Sequence, residues 1–289
     1  MTKPIVYHQK TISSGSVIEQ TTYERLVSHG FKISSSWKEK RKLAKTQALA
    51  NLTQEQILER RIKNRKLSML RSKNTLTRLI NANVYQYFNT KGRAYPPIFL
   101  TLTFVEDIRT QKQANKLFML FIKRLNYKIH KNKSYTLKYS VVVEFQDLNR
   151  EGVIHYHVLL YDLPFIHVLV LYKIWRKGGI KINEIKHIND TAEYVTKYMQ
   201  KNFQDARLDG HKRHFSSRGL YKPKVYAGTV AFEIIKNAIP KDTPTWSISF
   251  ETEKKGKIIK TTSTLNNKKV LRDIIDIEKI QEIEKYDIS

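Results

Sequence analysis

The spacing of hydrophobic and polar positions changes character several times along the chain, and each change predicts a different element. Up to about residue 90, Leu and Ile recur at helical spacing through SSSWKEKRKLAKTQALANLTQEQILERRIKNRKLSMLRSKNTLTRLINANVYQYF, with few breakers between them. KGRAYPP interrupts that pattern, and strands begin. IFLTLTF (98–104) is β-branched and aromatic, the composition of a core strand. Ala114, Leu117, Phe118, Phe121, Ile122 and Leu125 then follow the i, i+3/i+4 spacing of an amphipathic helix. YSVVVEF (139–145) and VIHYHVLLY (153–161) predict two further strands, and the short QDLNREG link predicts that they form an antiparallel hairpin. A fourth strand is expected at GIKINEI, with Gly178 and Gly179 making the turn before it. A helix follows near NDTAEYVTKYMQKNF, where Asp190 and Glu193 have capping-box spacing with Asp in place of Ser or Thr.

From about residue 205 the pattern turns polar, becomes strand-like at TWSISF and ends in a charged, helical tail. The expected organisation is a basic, mainly helical region over 1–90, an α+β domain over 91–205, and a C-terminal extension of unassigned role over 206–289.

Charge narrows the choice of partner. The 289 residues carry 53 Lys and Arg against 26 Asp and Glu, a formal net charge of +27. Such a field attracts polyanions, which means nucleic acid or an anionic membrane surface. No apolar run approaches the roughly 18 residues that a spanning helix requires, and MTKPIVYHQKTISSGS has no apolar core like that of a signal peptide. The absence of cysteine excludes disulfides and thiol chemistry and fits a cytoplasmic chain. With 16 Tyr and 12 Phe, wholesale disorder is not expected despite the charge. The basic helices read equally as a solvated helix pair or as an arm that contacts DNA.

The candidate chemistry begins with GVIHYHVLLY. Alternate residues of a strand share one face, so His155 and His157 would present two imidazoles side by side. The alternative is that both are packed and satisfied. In an antiparallel hairpin, paired residue numbers sum to a constant. A sum of 299 sets Glu144 opposite His155 and a sum of 301 sets it opposite His157, whereas 300 turns it to the other face. Two imidazoles and a carboxylate suit Mg²⁺ or Mn²⁺ with positions left open for phosphate oxygens.

A second constellation lies on the helix EYVTKYMQK. Ala192, Val195, Met199 and Phe203 form an apolar side for packing on the sheet. Tyr194 and Tyr198 share another side at i, i+4, with Lys201 beside them and Lys197 at its edge. These tyrosines either border a core or act as nucleophiles, with a nearby ammonium lowering the cost of a phenolate. His130, His167, His187, His211 and His214 have no tight ligand spacing and read as surface or DNA-facing groups; Trp175 and Trp246 read as core. No GxxxxGK[ST] loop occurs, which argues against an in-chain P-loop helicase.

Taken in order, FLTLTF, HYHVLLY and YVTKYMQK resemble the rolling-circle replication initiators of the HUH endonuclease superfamily, and the paired tyrosines resemble the two-tyrosine initiators of small single-stranded DNA phages. The resemblance covers about residues 97 to 203, with FSSRGLYKP (215–223) similar to a further segment of phage initiators. It implies a central antiparallel sheet flanked by helices. It also implies a metal ion, Mg²⁺ or Mn²⁺, held by His155 and His157 with a polar or acidic neighbour, for which Glu144 is the candidate from the hairpin argument. The implied reaction is nicking of one strand at an origin by Tyr194 or Tyr198, assisted by Lys197 and Lys201, to give a 5′-phosphotyrosine and a 3′-hydroxyl primer. The second tyrosine would rejoin the displaced strand. Origin single-stranded DNA, a host helicase and a host polymerase are the implied partners, in the cytoplasm of a bacterial host. A relaxase or transposase of the same superfamily remains an alternative, although relaxases usually carry the nucleophile ahead of the histidines. So does a non-enzymatic basic DNA-binding protein.

Overall fold

The computed structural model describes residues 4–32, 34–131, 136–146, 150–183, 191–201, 207, 209, 211–266 and 269–289, the side chains of 183 and 199–201 excepted. In chain order the elements are β1 (Ile5–Ser14), β2 (Val17–His29), α1 (Ser35–Ala50), α2 (Gln54–Asn81), β3 (Ile98–Leu102), α3 (Gln111–His130), β4 (Tyr139–Gln146) and β5 (Val153–Leu160). There follow α4 (Val168–Trp175), β6 (Ile180–Asn183), α5 (Thr191–Lys201), β7 (His214–Ser216), β8 (Lys224–Ala227), α6 (Thr229–Ala238), β9 (Thr245–Thr252), β10 (Gly256–Thr264) and α7 (Ile277–Glu284). They divide into two compact units, Leu67–Tyr221 and the pair of segments Met1–Lys66 and Lys222–Ser289. The protein is α+β, with antiparallel sheets flanked by helices. Among the described residues no helix is long and apolar enough to cross a membrane.

The Leu67–Tyr221 unit is built on a five-stranded sheet of order β6-β3-β5-β4-β7, in which every pairing is antiparallel. β5 is buried on both faces because its two sets of alternate side chains each meet a helix layer. Ile154, Tyr156, Val158 and Leu160 pack with α3 and α4, where Phe118, Phe121 and Trp175 supply the bulk of the core. Leu159 and Tyr161 face the other way, onto Leu76 and Ile80 of α2 and Ala192 and Val195 of α5. The α3 stripe predicted from spacing is the buried stripe, with Leu117 partly covered.

Gly178 and Gly179 make the turn into β6, and one of them is needed for a close approach. Gly178 has φ +153°, and a Cβ there would lie 2.1 Å from the Thr103 carbonyl oxygen. The same carbonyl accepts a hydrogen bond from Trp175 Nε1 at 3.0 Å, while Gly179 N donates to Thr103 Oγ1 at 2.9 Å. Strand β6 is thereby pinned to the end of β3.

The other unit holds a second antiparallel sheet of order β8-β1-β2-β10-β9. Ile18, Ala231, Ile235 and Ile283 form part of its core with α6 and α7, and Tyr7, Tyr23, Ala227 and Ile258 form a smaller cluster. Helix α1 contains no buried residue.

Two expectations need correction. The region 1–90 was expected to be mainly helical, yet it opens with the β1–β2 hairpin, turned through Gly15 at φ 58°. IVYHQKTISS and VIEQTTYERLVSH are rich in β-branched and aromatic residues, but their other partners, β8 and β10, lie some two hundred residues away. The expected boundaries at 90 and 206 also fail to follow the packing. The last turns of α2 and strand β7 belong with the central sheet, where Leu76 and Ile80 are fully buried and β7 pairs with β4. Helix α6 had no counterpart in the sequence reading.

Gly178→Ala is expected to lower stability in denaturant unfolding by about 2 kcal/mol or more, because backbone must move to admit the methyl group. Gly92→Ala, at φ 70° with nothing within 4 Å of the added Cβ, should cost about 1–2 kcal/mol, the left-handed backbone term alone. Equal losses at the two positions would contradict the close approach.

Candidate active site

The β4–β5 hairpin takes the register in which Glu144 lies directly opposite His155. That register turns Glu144, His155 and His157 to one face of the sheet, the face that carries α5. The intervening Tyr156 points the other way into the α3–α4 core, where its hydroxyl donates to Asn115 Oδ1 at 2.6 Å. A bulky middle residue thus anchors the strand from behind while both imidazoles face forward.

His157 is held from two sides. Glu144 Oε2 lies 2.5 Å from Nε2, and Thr101 Oγ1, from the paired position on β3, lies 3.1 Å from Nδ1. Facing an ionised carboxylate, Nε2 carries the proton and Nδ1 accepts from the threonine hydroxyl. His155 is half-buried. Burial pushes its pKa below the ordinary value of 6.5, the neighbouring His157 and Arg150 add to that, and Glu144 opposes it. Arg150 stays in place because its guanidinium bonds the Asp107 carboxylate and the Phe104 and Val105 carbonyls.

Helix α5 lays both tyrosines over this face. The Tyr198 ring stacks on His157 with centroids 3.8 Å apart, and Phe99 packs against both His157 and Tyr198. Tyr194 meets Phe99 edge-on at 5.3 Å. The two phenols are neighbours, with ring centroids 6.0 Å apart and the hydroxyls 3.5 Å apart. They border the same core as Ala192 and Val195, so the packing side and the tyrosine side of the helix are contiguous.

Lys197 Nζ sits 3.7 Å from the Tyr194 ring centroid and 5.2 Å from that of Tyr198, over the rings as a cation–π partner. The expected easing of phenolate formation does not appear at Tyr198. Burial, the Tyr194 hydroxyl and the Glu144 charge push its pKa above the usual tyrosine value of 10.0. The side chain of Lys201 lies outside the described residues, as do the side chain of Met199 and residues Asp190, His187 and Phe203.

The donor set fits a divalent cation in chemical type, since two imidazoles and a carboxylate share one sheet face. Among the described residues no three His, Cys, Asp or Glu side chains form a ready cage. A cation at His157 Nε2 would require the Glu144–His157 contact to open and the ring proton to move to Nδ1. Thr101 can accommodate the second change, because a hydroxyl that donates to Nδ1 can equally accept from it.

Four neighbours escaped the sequence reading. Phe99 and Thr101 alternate in FLTLTF and could have been found by extending the two-residue period to β3. Arg150 lies in the hairpin link, where a single sequence offers no signal. His214 was taken as a surface group, but β7 sets it beside Val142, which is itself paired with His157. Its Nδ1 is buried without a hydrogen-bond partner among the described residues, and burial lowers its pKa.

Residues 97–203 match the model of a replication-associated protein family, the one described by its ORF2 members. The match runs from β3 to the end of α5 and includes all seven candidate site residues. It supports a replication-initiator, Rep-like character for this segment. No curated protein and no solved structure matches the chain.

His155 should remain neutral on acidification until well into the range below 6.5. Its folded pKa is depressed, so the unfolded chain binds the proton first and the His155 contribution to stability is lost as pH falls from about 6.5. Imidazole proton shifts followed by NMR against pH check this. A His155 titration at or above 6.5 in the metal-free protein would contradict the half-buried placement.

Proposed function

We propose that the Leu67–Tyr221 unit is the nicking and rejoining centre of a rolling-circle replication initiator, an HUH-type endonuclease of the two-tyrosine kind. The observation that carries this reading is the gathering of His155, His157 and Glu144 on one sheet face beneath Tyr194 and Tyr198, within the segment that matches a replication-associated family. Bound by His155, His157 and Glu144, Mg²⁺ or Mn²⁺ would supply Lewis-acid polarisation of a scissile phosphate.

The chain's own part is positioning and nucleophilic attack. A phenol oxygen bonds to phosphorus, the bond to the 3′ oxygen breaks, and the phenolic proton is lost as the 3′ oxygen gains one. The products are a 5′-phosphotyrosine and a free 3′-hydroxyl, which a host polymerase can extend. The second phenol, 3.5 Å away, is within reach of the same phosphate for the reverse transfer. Lys197, and Lys201 from the same helix, would offset phosphate charge. The raised pKa of Tyr198 means that phenolate formation needs a cation close by, which gives the metal a second role in this reading. The setting is a host bacterial cytoplasm, and with no P-loop in the chain a host helicase is implied for strand separation.

His155→Ala and His157→Ala should each lower metal-dependent nicking of single-stranded origin DNA by roughly a hundredfold or more, with DNA affinity little changed. Mn²⁺ should raise the melting temperature of the parent chain and not of these variants. Nicking at the parental rate by either variant would remove it from the metal set. Tyr194→Phe and Tyr198→Phe should each retain some single-turnover covalent capture of DNA, and the double variant none. An adduct that survives the double substitution would place the nucleophile elsewhere.

Affinity should rest largely on phosphate contacts spread over the basic surface. Exchanging Lys38, Lys40, Arg41, Lys42 and Lys45 of α1 for Gln should flatten the salt dependence of single-strand binding by up to about 3 in log–log slope. An unchanged slope would show that α1 does not touch DNA.

A further inference from the structure

Strand β9 is the edge of the second sheet, with β10 its one strand neighbour among the described residues. An exposed edge offers unpaired backbone N–H and C=O groups to another chain, and proteins usually guard it with Lys, Pro, a bulge or a covering element. From Thr245 to Phe250 this strand reads TWSISF, without a charge or a proline. The β9–β10 pairing runs without a register shift, so no bulge twists the edge away. Trp246, Ile248 and Phe250 project on one face and are exposed by 60%, 40% and 46%.

The side-chain order along this edge is a palindrome of type. Reading outward from Ile248 gives Ser247 and Ser249, then Trp246 and Phe250. An antiparallel strand paired about Ile248 would set Trp246 of each copy against Phe250 of the other and Ile248 against Ile248. The serines would meet on the opposite face. All three apolar pairs then fall on one face and close around a two-fold axis.

We propose that β9 is a self-association edge, and that two copies of this chain pair antiparallel about Ile248 into one continuous ten-stranded sheet. A self-complementary strand needs only a second copy, and antiparallel pairing satisfies both the apolar stripe and the free backbone edge. A single nucleic-acid strand stacked on Trp246 and Phe250 would use the stripe alone, and the strand from 245 to 250 holds no Lys or Arg to meet its phosphates.

The absence of cysteine in the parent chain makes the register directly measurable. Ile248→Cys puts two thiols directly opposite at the axis, about 4.5–5.5 Å apart between Cα atoms and within disulfide range. Ser249→Cys faces a serine of the other copy instead. Oxidation of the full-length variants should link Ile248→Cys into a covalent dimer and leave Ser249→Cys largely monomeric.

Ile248→Glu provides the second arm. The new carboxylate is opposite Lys260 within its own sheet, so the monomer should fold, yet it meets its own copy across the axis. Sedimentation should show a dimer of the parent chain in the micromolar range and self-association weakened by about tenfold or more in Ile248→Glu. Equal linking of both cysteine variants, linking of neither, or an unchanged dimer of Ile248→Glu would overturn the proposal. So would a monomer that loses oligonucleotide affinity on Trp246→Ala, an outcome that would assign the stripe to nucleic acid instead.

Discussion

The candidate site depends on one alignment, the pairing of Glu144 with His155 across the β4–β5 hairpin. A slip of one residue would turn the carboxylate to the α3–α4 side, into a core of Phe118, Phe121 and Trp175. Neighbouring residues hold the register against that slip. Val141, Val143 and Phe145 fill one face as fully as Val142 fills the other, so a shifted strand would drive Glu144 into an apolar core. The same alternation sends Tyr156 backward to Asn115 and both imidazoles forward. Packing of the hydrophobic layers is therefore what assembles the polar set.

Held this way, the polar set sits in a closed arrangement. His157 is clasped between Glu144 and Thr101 and covered by the Tyr198 ring. In low-dielectric surroundings a buried imidazole–carboxylate contact satisfies both groups and keeps the face ordered. It also raises the barrier to phenolate formation at Tyr198, which lies close to the Glu144 charge. A cation that drew Glu144 away from His157 would reverse both effects, freeing a ring nitrogen and lowering the cost of the phenolate. The tyrosines, the carboxylate and the imidazoles are thus coupled in charge as well as in position.

Local patterns carried most of what the sequence revealed. The α3 stripe, the three central strands and the tyrosine spacing on α5 depend on neighbours within a few turns, and they appear where the periodicity places them. The hairpin register was narrowed to a few choices, because alternation restricts faces but cannot choose among alignments that keep the same face. What stayed hidden depends on distant pairing. Strands β1 and β2 need β8 and β10, and His214 reaches the site face only because the three-residue β7 joins β4. Trp246 was read as core on the general habits of tryptophan, yet edge position leaves it exposed. Lys197 was placed at the margin of the tyrosine face, and a flexible four-carbon stem carries its ammonium over the rings.

The most direct test of a tyrosine-based nicking centre is to locate the covalent bond itself. Single-stranded origin DNA labelled separately at its 5′ and 3′ ends would be incubated with the full chain and Mn²⁺, and the trapped adduct digested with trypsin. Cleavage after Lys197 separates Tyr194, in HINDTAEYVTK, from Tyr198, in YMQK, so the two nucleophiles fall in different peptides. The account predicts that only the 3′ label stays with protein, in a 5′-phosphotyrosine on one or both of these peptides. Retention of the 5′ label, attachment to any other peptide, or cleavage with no covalent adduct would contradict it.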